Sequence, residues 1–238
     1  MSELPIVIDG DGHVFEDVAG IVRHLPDNYR HEFTEKRLSR LFPPMDHFHE
    51  MPMLTRGFGD RASEGPVGVS GWQAFLEAVG ISHTVLYPSL ALSYGKIRDR
   101  GWAIAVARAY NDWLVETYLS VDTRFSGVAL LPMQEPQAAV DELNRVVEEL
   151  GMSGAMLPSH GLPTHLGAKE FWPVYEAAGS LGCALSVHGA CHDGLGFDDM
   201  NVYAPVHALG HPFGQLIFAG IALHVFCQCI NTVERQSQ

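Results

Sequence analysis

Short apolar runs alternate along the chain with stretches whose apolar positions recur at helical spacing. Residues 5–9, carrying Ile6-Val7-Ile8, read as a first strand, of the fully buried kind because the run lacks polar alternation. Trp72, Phe75, Leu76 and Val79 then keep helical spacing up to Gly80, which stops that helix. Thr84 to Pro88 predicts a second strand, and Arg98 to Tyr118 a long amphipathic helix. Ser126 to Pro132 predicts a third strand. Glu135-Pro136 opens a helix bearing Val140, Leu143, Val146, Val147 and Leu150, closed by Gly151. Gly154 to Pro158 is the fourth strand, followed by a helix from Phe171 to Leu181 with Gly182 as its cap. Cys183 to His188 is the fifth, and a last helix is expected from near His211-Pro212 past Leu223.

Apolar strands that alternate with helices are the signature of βαβ units on a parallel sheet. Several of these strands end in Pro, Gly or His, which is where barrel folds put their chemistry. The fold class predicted is α/β, a (β/α)8 TIM-barrel type with about five units present. Too few residues follow His188 for three further units of ordinary length, so the barrel is expected to remain open, truncated at its C-terminus. Residues 14–68 break the pattern, with Pro43-Pro44, Met51-Pro52-Met53 and Gly65-Pro66 as punctuation. This is too long for an ordinary loop, so the insertion is expected to fold over a functional region or to include short helices. No repeat or low-complexity tract interrupts residues 1–238, which read as one domain.

Composition narrows the function. The chain is 47% hydrophobic and 18% charged, which supports a sizeable core and excludes a disordered chain. A formal net charge of -13 argues against nucleic acid or an anionic membrane face as partner, since both need a basic footprint. An anionic small substrate stays open, because a metal can invert the charge of a pocket locally. Met1-Ser2-Glu3-Leu4-Pro5 has no secretory leader pattern, no apolar run is long enough to span a membrane, and four cysteines make no disulfide scaffold. A soluble cytoplasmic protein is expected.

The chemistry begins where the first strand ends. In Asp9-Gly10-Asp11-Gly12-His13 the i, i+2 spacing puts Asp11 and His13 on one side of an extended chain. A carboxylate oxygen and an imidazole converging at a strand end start a divalent-metal site, although Asp and Gly there can equally serve to turn the chain. His188 ends another parallel strand and is either a third donor or a hydrogen-bonded structural histidine. Glu16 can support a ligand or cap the next turn. His192 with Cys191 is close enough in sequence to His188 to line the same pocket. His47-Phe48-His49 reads as a surface or lid feature, Cys227 and Cys229 as buried thiols, and Asp112 and Trp113 as packing and helix-surface residues.

Ile8 to Glu16 resembles the opening metal motif of the amidohydrolase-related family. That family includes the aminocarboxymuconate-semialdehyde decarboxylase type of non-oxidative decarboxylase and related metal-dependent hydrolases. The resemblance continues at Ala109 to Leu114, Gly127 to Gln134, Ala139 to Leu143, Val187-His188-Gly189 and His211 to Gln215, over roughly residues 5–220. It implies a (β/α)8 barrel holding one divalent ion, Zn or Mn, with Asp11, His13 and His188 as ligands. Glu16, His192 and His211 would support the ligands or line the pocket. It also implies a small carboxylated or carbonyl-bearing substrate, with hydrolysis and decarboxylation both open. The family's polar residue after strand six and Asp after strand eight have no match here, so the general acid and final Asp are expected beyond the chain, and activity weak or lost. His211 does not match the strand-six position.

Two other readings follow. The chain can be a non-catalytic fragment that pairs its open sheet edge with a second copy. Alternatively, Asp9-Gly10-Asp11-Gly12 is similar to the opening of haloacid-dehalogenase-type phosphatases, with Asp9 as nucleophile, Asp11 as acid/base and magnesium as cofactor. That family expects Thr or Val where His13 stands, and a Lys that has no suitable counterpart here.

Overall fold

Five parallel strands in the order β1-β2-β3-β4-β5 form one curled sheet, each paired with its neighbour in sequence. The computed structural model describes residues 6–35, 41–45 and 68–189. The strands are β1 (Ile8–Val14), β2 (His83–Pro88), β3 (Phe125–Leu130), β4 (Gly154–Pro158) and β5 (Ala184–His188). The helices are α1 (Val18–His24), α2 (Asp27–Glu35), α3 (Val69–Val79), α4 (Arg100–Leu114), α5 (Pro136–Glu148) and α6 (Trp172–Leu181). Sequential parallel pairing with helical crossovers is half of a (β/α)8 barrel, and the described residues do not close it.

Local chemistry sets the boundaries. The Asp99 side chain caps α4, accepting from the Trp102 N–H at 2.7 Å. Pro136 fills the first turn of α5, and Gly80 and Gly182 end α3 and α6 with φ of 72° and 65°. The helix expected to reach Tyr118 stays α-helical only to Leu114 and widens into a π turn over Val115–Leu119. Val106, Tyr110, Trp113 and Leu114 of α4 pack with Leu86, Leu130, Leu143 and Val146 in the core. Each such side chain taken fully out of water contributes about 1.5–3 kcal/mol.

The first strand departs most from the sequence reading. It runs over residues 8–14 rather than 5–9, and the apolar run that leads into it is not buried: Ile6 is 77% and Ile8 61% exposed, whereas Val14 at its other end is in the core. Strand β1 lies at the sheet edge with only β2 beside it, so its apolar run marks hydrophobicity without depth. Helices α1 and α2 occupy part of the stretch that read as irregular. The helix expected near His211 lies outside the described residues.

Candidate metal centre

A register shift in β1 sets up the site. Asp9 pairs with Thr84 and Gly12 with Leu86, so β1 spends one residue more than β2 between them. Asp9 holds this bulge: one carboxylate oxygen accepts from the Thr84 hydroxyl at 2.9 Å, the other from the Asp11 N–H at 3.2 Å. Gly12 fits because a Cβ there would collide with the Thr84 hydroxyl and stand 3.0 Å from the Trp72 ring. These bonds give Asp9 a structural task.

Beyond the bulge, Asp11 and His13 meet His188 from the far edge of the sheet. One donor atom from each lies within 4.8 Å of the other two. The Asp11 Oδ1 is 3.6 Å from His13 Nε2 and 3.4 Å from His188 Nε2. The opposite nitrogens are fixed by backbone: His13 Nδ1 lies 2.7 Å from the Pro88 carbonyl, and His188 Nδ1 2.8 Å from the Gly189 carbonyl. A carbonyl only accepts, so each Nδ1 carries a hydrogen and each ring is left with its Nε2 facing Asp11. Backbone-oriented imidazoles whose free nitrogens converge on a carboxylate suit a divalent cation.

Electrostatics agree with that geometry. Hydrogen bonds from His13 and His188 hold the Asp11 carboxyl well below the usual carboxylate range. Burial lowers the basicity of His13, but the Asp11 and Pro88 hydrogen bonds and the Asp11 charge outweigh it and leave its pKa raised. The proton this favours sits on the His13 Nε2 that faces Asp11.

Glu16 is buried, and its carboxylate accepts from the N–H groups of Ser89, Leu90 and Ala91 at 3.1, 2.9 and 2.8 Å. It thus caps the turn that follows β2, whose Pro88 carbonyl orients His13. Burial pushes its carboxyl up to about 7, against three donors that favour the ionised form. His192, His211, His47, His49, Cys191, Cys227 and Cys229 lie outside the described residues.

Sequence reasoning missed two residues. Tyr87, the register partner of His13, lies against both imidazoles, with ring centroids 6.1 Å from His13 and 5.4 Å from His188. Its place after Leu86 at a strand end was the available signal. Asn111 sits behind the sheet and grips β3 at both backbone groups of Leu130, as donor at 3.0 Å and acceptor at 2.8 Å.

The sequence profile of the amidohydrolase family matches residues 88–225, more than half of the chain. The chain belongs to this family. Among curated amidohydrolase relatives, gamma-resorcylate decarboxylase from Polaromonas sp. is 36% identical over 98 residues, 39% of this chain and 30% of that protein. The 2-amino-3-carboxymuconate-6-semialdehyde decarboxylase of Dictyostelium discoideum is 30% identical over 86 residues, 36% of this chain and 24% of that protein. A dihydroxybenzoic acid decarboxylase from Polaromonas sp., solved with manganese and the inhibitor 2-nitroresorcinol, superposes with a TM-score of 0.55 at 25% identity, covering 87% of this chain and 55% of its own. The 5-carboxyvanillate decarboxylase of Novosphingobium aromaticivorans, solved with manganese and 3-methoxy-4-hydroxy-5-nitrobenzoic acid, gives a TM-score of 0.61 at 21% identity, over 83% of this chain and 55% of its own. The chain thus spans about half the length of these solved amidohydrolase-fold proteins. No helix among the described residues is long and apolar enough to cross a membrane.

Proposed function

We propose that this chain carries the first half of a metal-dependent, non-oxidative decarboxylase site for a small aromatic or enolic acid, with Asp11, His13 and His188 holding one divalent ion. The observation that supports this most is the orientation of the two imidazoles, each anchored at Nδ1 by a backbone carbonyl with Nε2 free towards Asp11 Oδ1. When bound, the ion would hold and polarise the oxygens of a carboxylated substrate. The protein's own share is to present three donors without reorganisation and to keep both rings in the tautomer a cation needs. Glu16, by fixing the turn after β2, supports the carbonyl that orients His13. One carboxylate and two imidazoles accept either zinc or manganese, and the manganese in both named structures favours manganese here. Decarboxylation is preferred over hydrolysis because the named relatives are decarboxylases.

The test is metal content. Asp11→Ala with His13→Ala should abolish stoichiometric manganese in the purified chain, measured by plasma mass spectrometry after dialysis. Unchanged content in the double variant would contradict the ligand assignment.

A second reading, self-association through the open sheet, draws on the apolar edge of β1, where Ile6, Val7 and Ile8 are all exposed. A concentration-dependent dimer in sedimentation, lost with Ile6→Lys and Ile8→Lys together, would favour it.

A further inference from the structure

We propose that Tyr87 is a substrate-binding residue, its hydroxyl donating a hydrogen bond to an anionic oxygen of the acid held at the Asp11–His13–His188 cluster. The inference rests on the proposed metal reading and adds to it the group that recognises the ligand from the side.

Three observations carry it. Tyr87 is the register partner of His13 on the neighbouring parallel strand, so the two side chains project to the same face of the sheet. Its ring touches both imidazoles, and these meet edge to face with centroids 5.1 Å apart, so three aromatic rings from β1, β2 and β5 enclose one wall of the cluster. Tyr87 is only 8% exposed and no hydrogen bond joins its hydroxyl to a described residue, yet that hydroxyl is not sealed away as the buried, unpartnered hydroxyl of Tyr110 is. The ring is held by packing against both imidazoles while its hydroxyl stays within reach of a ligand oxygen.

The chemistry of the cluster says what that partner is. A divalent ion on Asp11, His13 and His188 leaves net positive charge to be matched by an anionic ligand. An acid bearing a carboxylate and a neighbouring oxygen offers more acceptor positions than the ion can take. Tyrosine supplies a donor without adding charge, and it provides a flat apolar surface suited to an aromatic or enolic acid. A phenylalanine would give the same surface without the donor.

The experiment uses the full chain loaded with manganese and 2-nitroresorcinol as the probe, followed by titration calorimetry, with manganese content and Tm measured on each sample. Tyr87→Phe should keep its manganese and its Tm while binding the probe about ten-fold more weakly, the loss expected for one hydrogen bond to a charged group. Probe affinity in Y87F within two-fold of the parent would overturn the proposal. Loss of manganese in Y87F would also overturn it, since the ring would then be supporting the histidines rather than the ligand. A parent chain that holds manganese but ignores the probe refutes the role of Tyr87 alone. A parent chain that holds no manganese removes the reading beneath it.

Discussion

At the scale of single residues, two carbonyl groups decide what the cluster can do. Pro88 and Gly189 fix the hydrogen of each ring on Nδ1, and the Nε2 atoms are left facing Asp11. His188→Ala should therefore weaken manganese binding at least as much as losing an orienting partner does, by about ten- to a hundred-fold or more, measured by competition with a chelating dye. The pH dependence follows from the two shifts. His13 has a raised pKa in the fold, so its pairing with Asp11 stabilises the metal-free protein fully below 6.5 and loses this as pH rises through the raised value. Asp11 has a depressed pKa, so its share is present above 3.8 and lost as pH falls below that. A cation must displace the proton, so the rise in Tm on adding manganese should be larger at pH 8 than at pH 5. The reverse order, read by differential scanning calorimetry, would contradict this competition. Much of this was legible beforehand: the i, i+2 spacing of Asp11 and His13 and the strand-end place of His188 are sequence properties. The orienting carbonyls and Tyr87 were not, because contacts across strands depend on register, which a single sequence does not carry.

At the scale of elements, the bulge in β1 and the polar clamp behind β3 hold the frame. Gly12→Ala should cost about 1–3 kcal/mol, because the added methyl meets Thr84 and Trp72 within a paired strand; urea unfolding measures it. Asn111 donates to Glu142 at 2.8 Å as well as to Leu130, and Arg145 closes on Glu142 with bonds of 2.9 and 2.7 Å while reaching Asp112 at 2.7 Å. Glu142 is buried, so Glu142→Ala would leave the Asn111 amide with Leu130 alone and the Arg145 guanidinium with Asp112 alone, and should cost about 1–3 kcal/mol. A loss under 1 kcal/mol in the urea midpoint would show the clamp to be idle. Periodicity located β2 to β5 within about two residues because buried parallel strands are short apolar runs between glycine and proline signals. It misjudged β1, whose pairing begins later and whose apolar start lies on an edge. The helical repeat gave Asp112 a surface role, whereas the crossover of α5 brings Arg145 to it.

At the scale of the whole molecule, the two outer strands of the half barrel each supply donors to one cluster. Asp11 and His13 come from β1, His188 from β5, and the strands stand at opposite ends of the sheet order. Curvature alone brings them together, so a shared cation would clamp the sheet edge to edge. Stripping the metal with a chelator should lower Tm, and restoring manganese should raise it in proportion to the logarithm of its free concentration. Whether these three side chains share one cation is read out by pulsed electron paramagnetic resonance on the manganese-loaded chain. The parent should show couplings from two histidine nitrogens and His188→Ala from one. Identical nitrogen couplings in both proteins would contradict a shared cation.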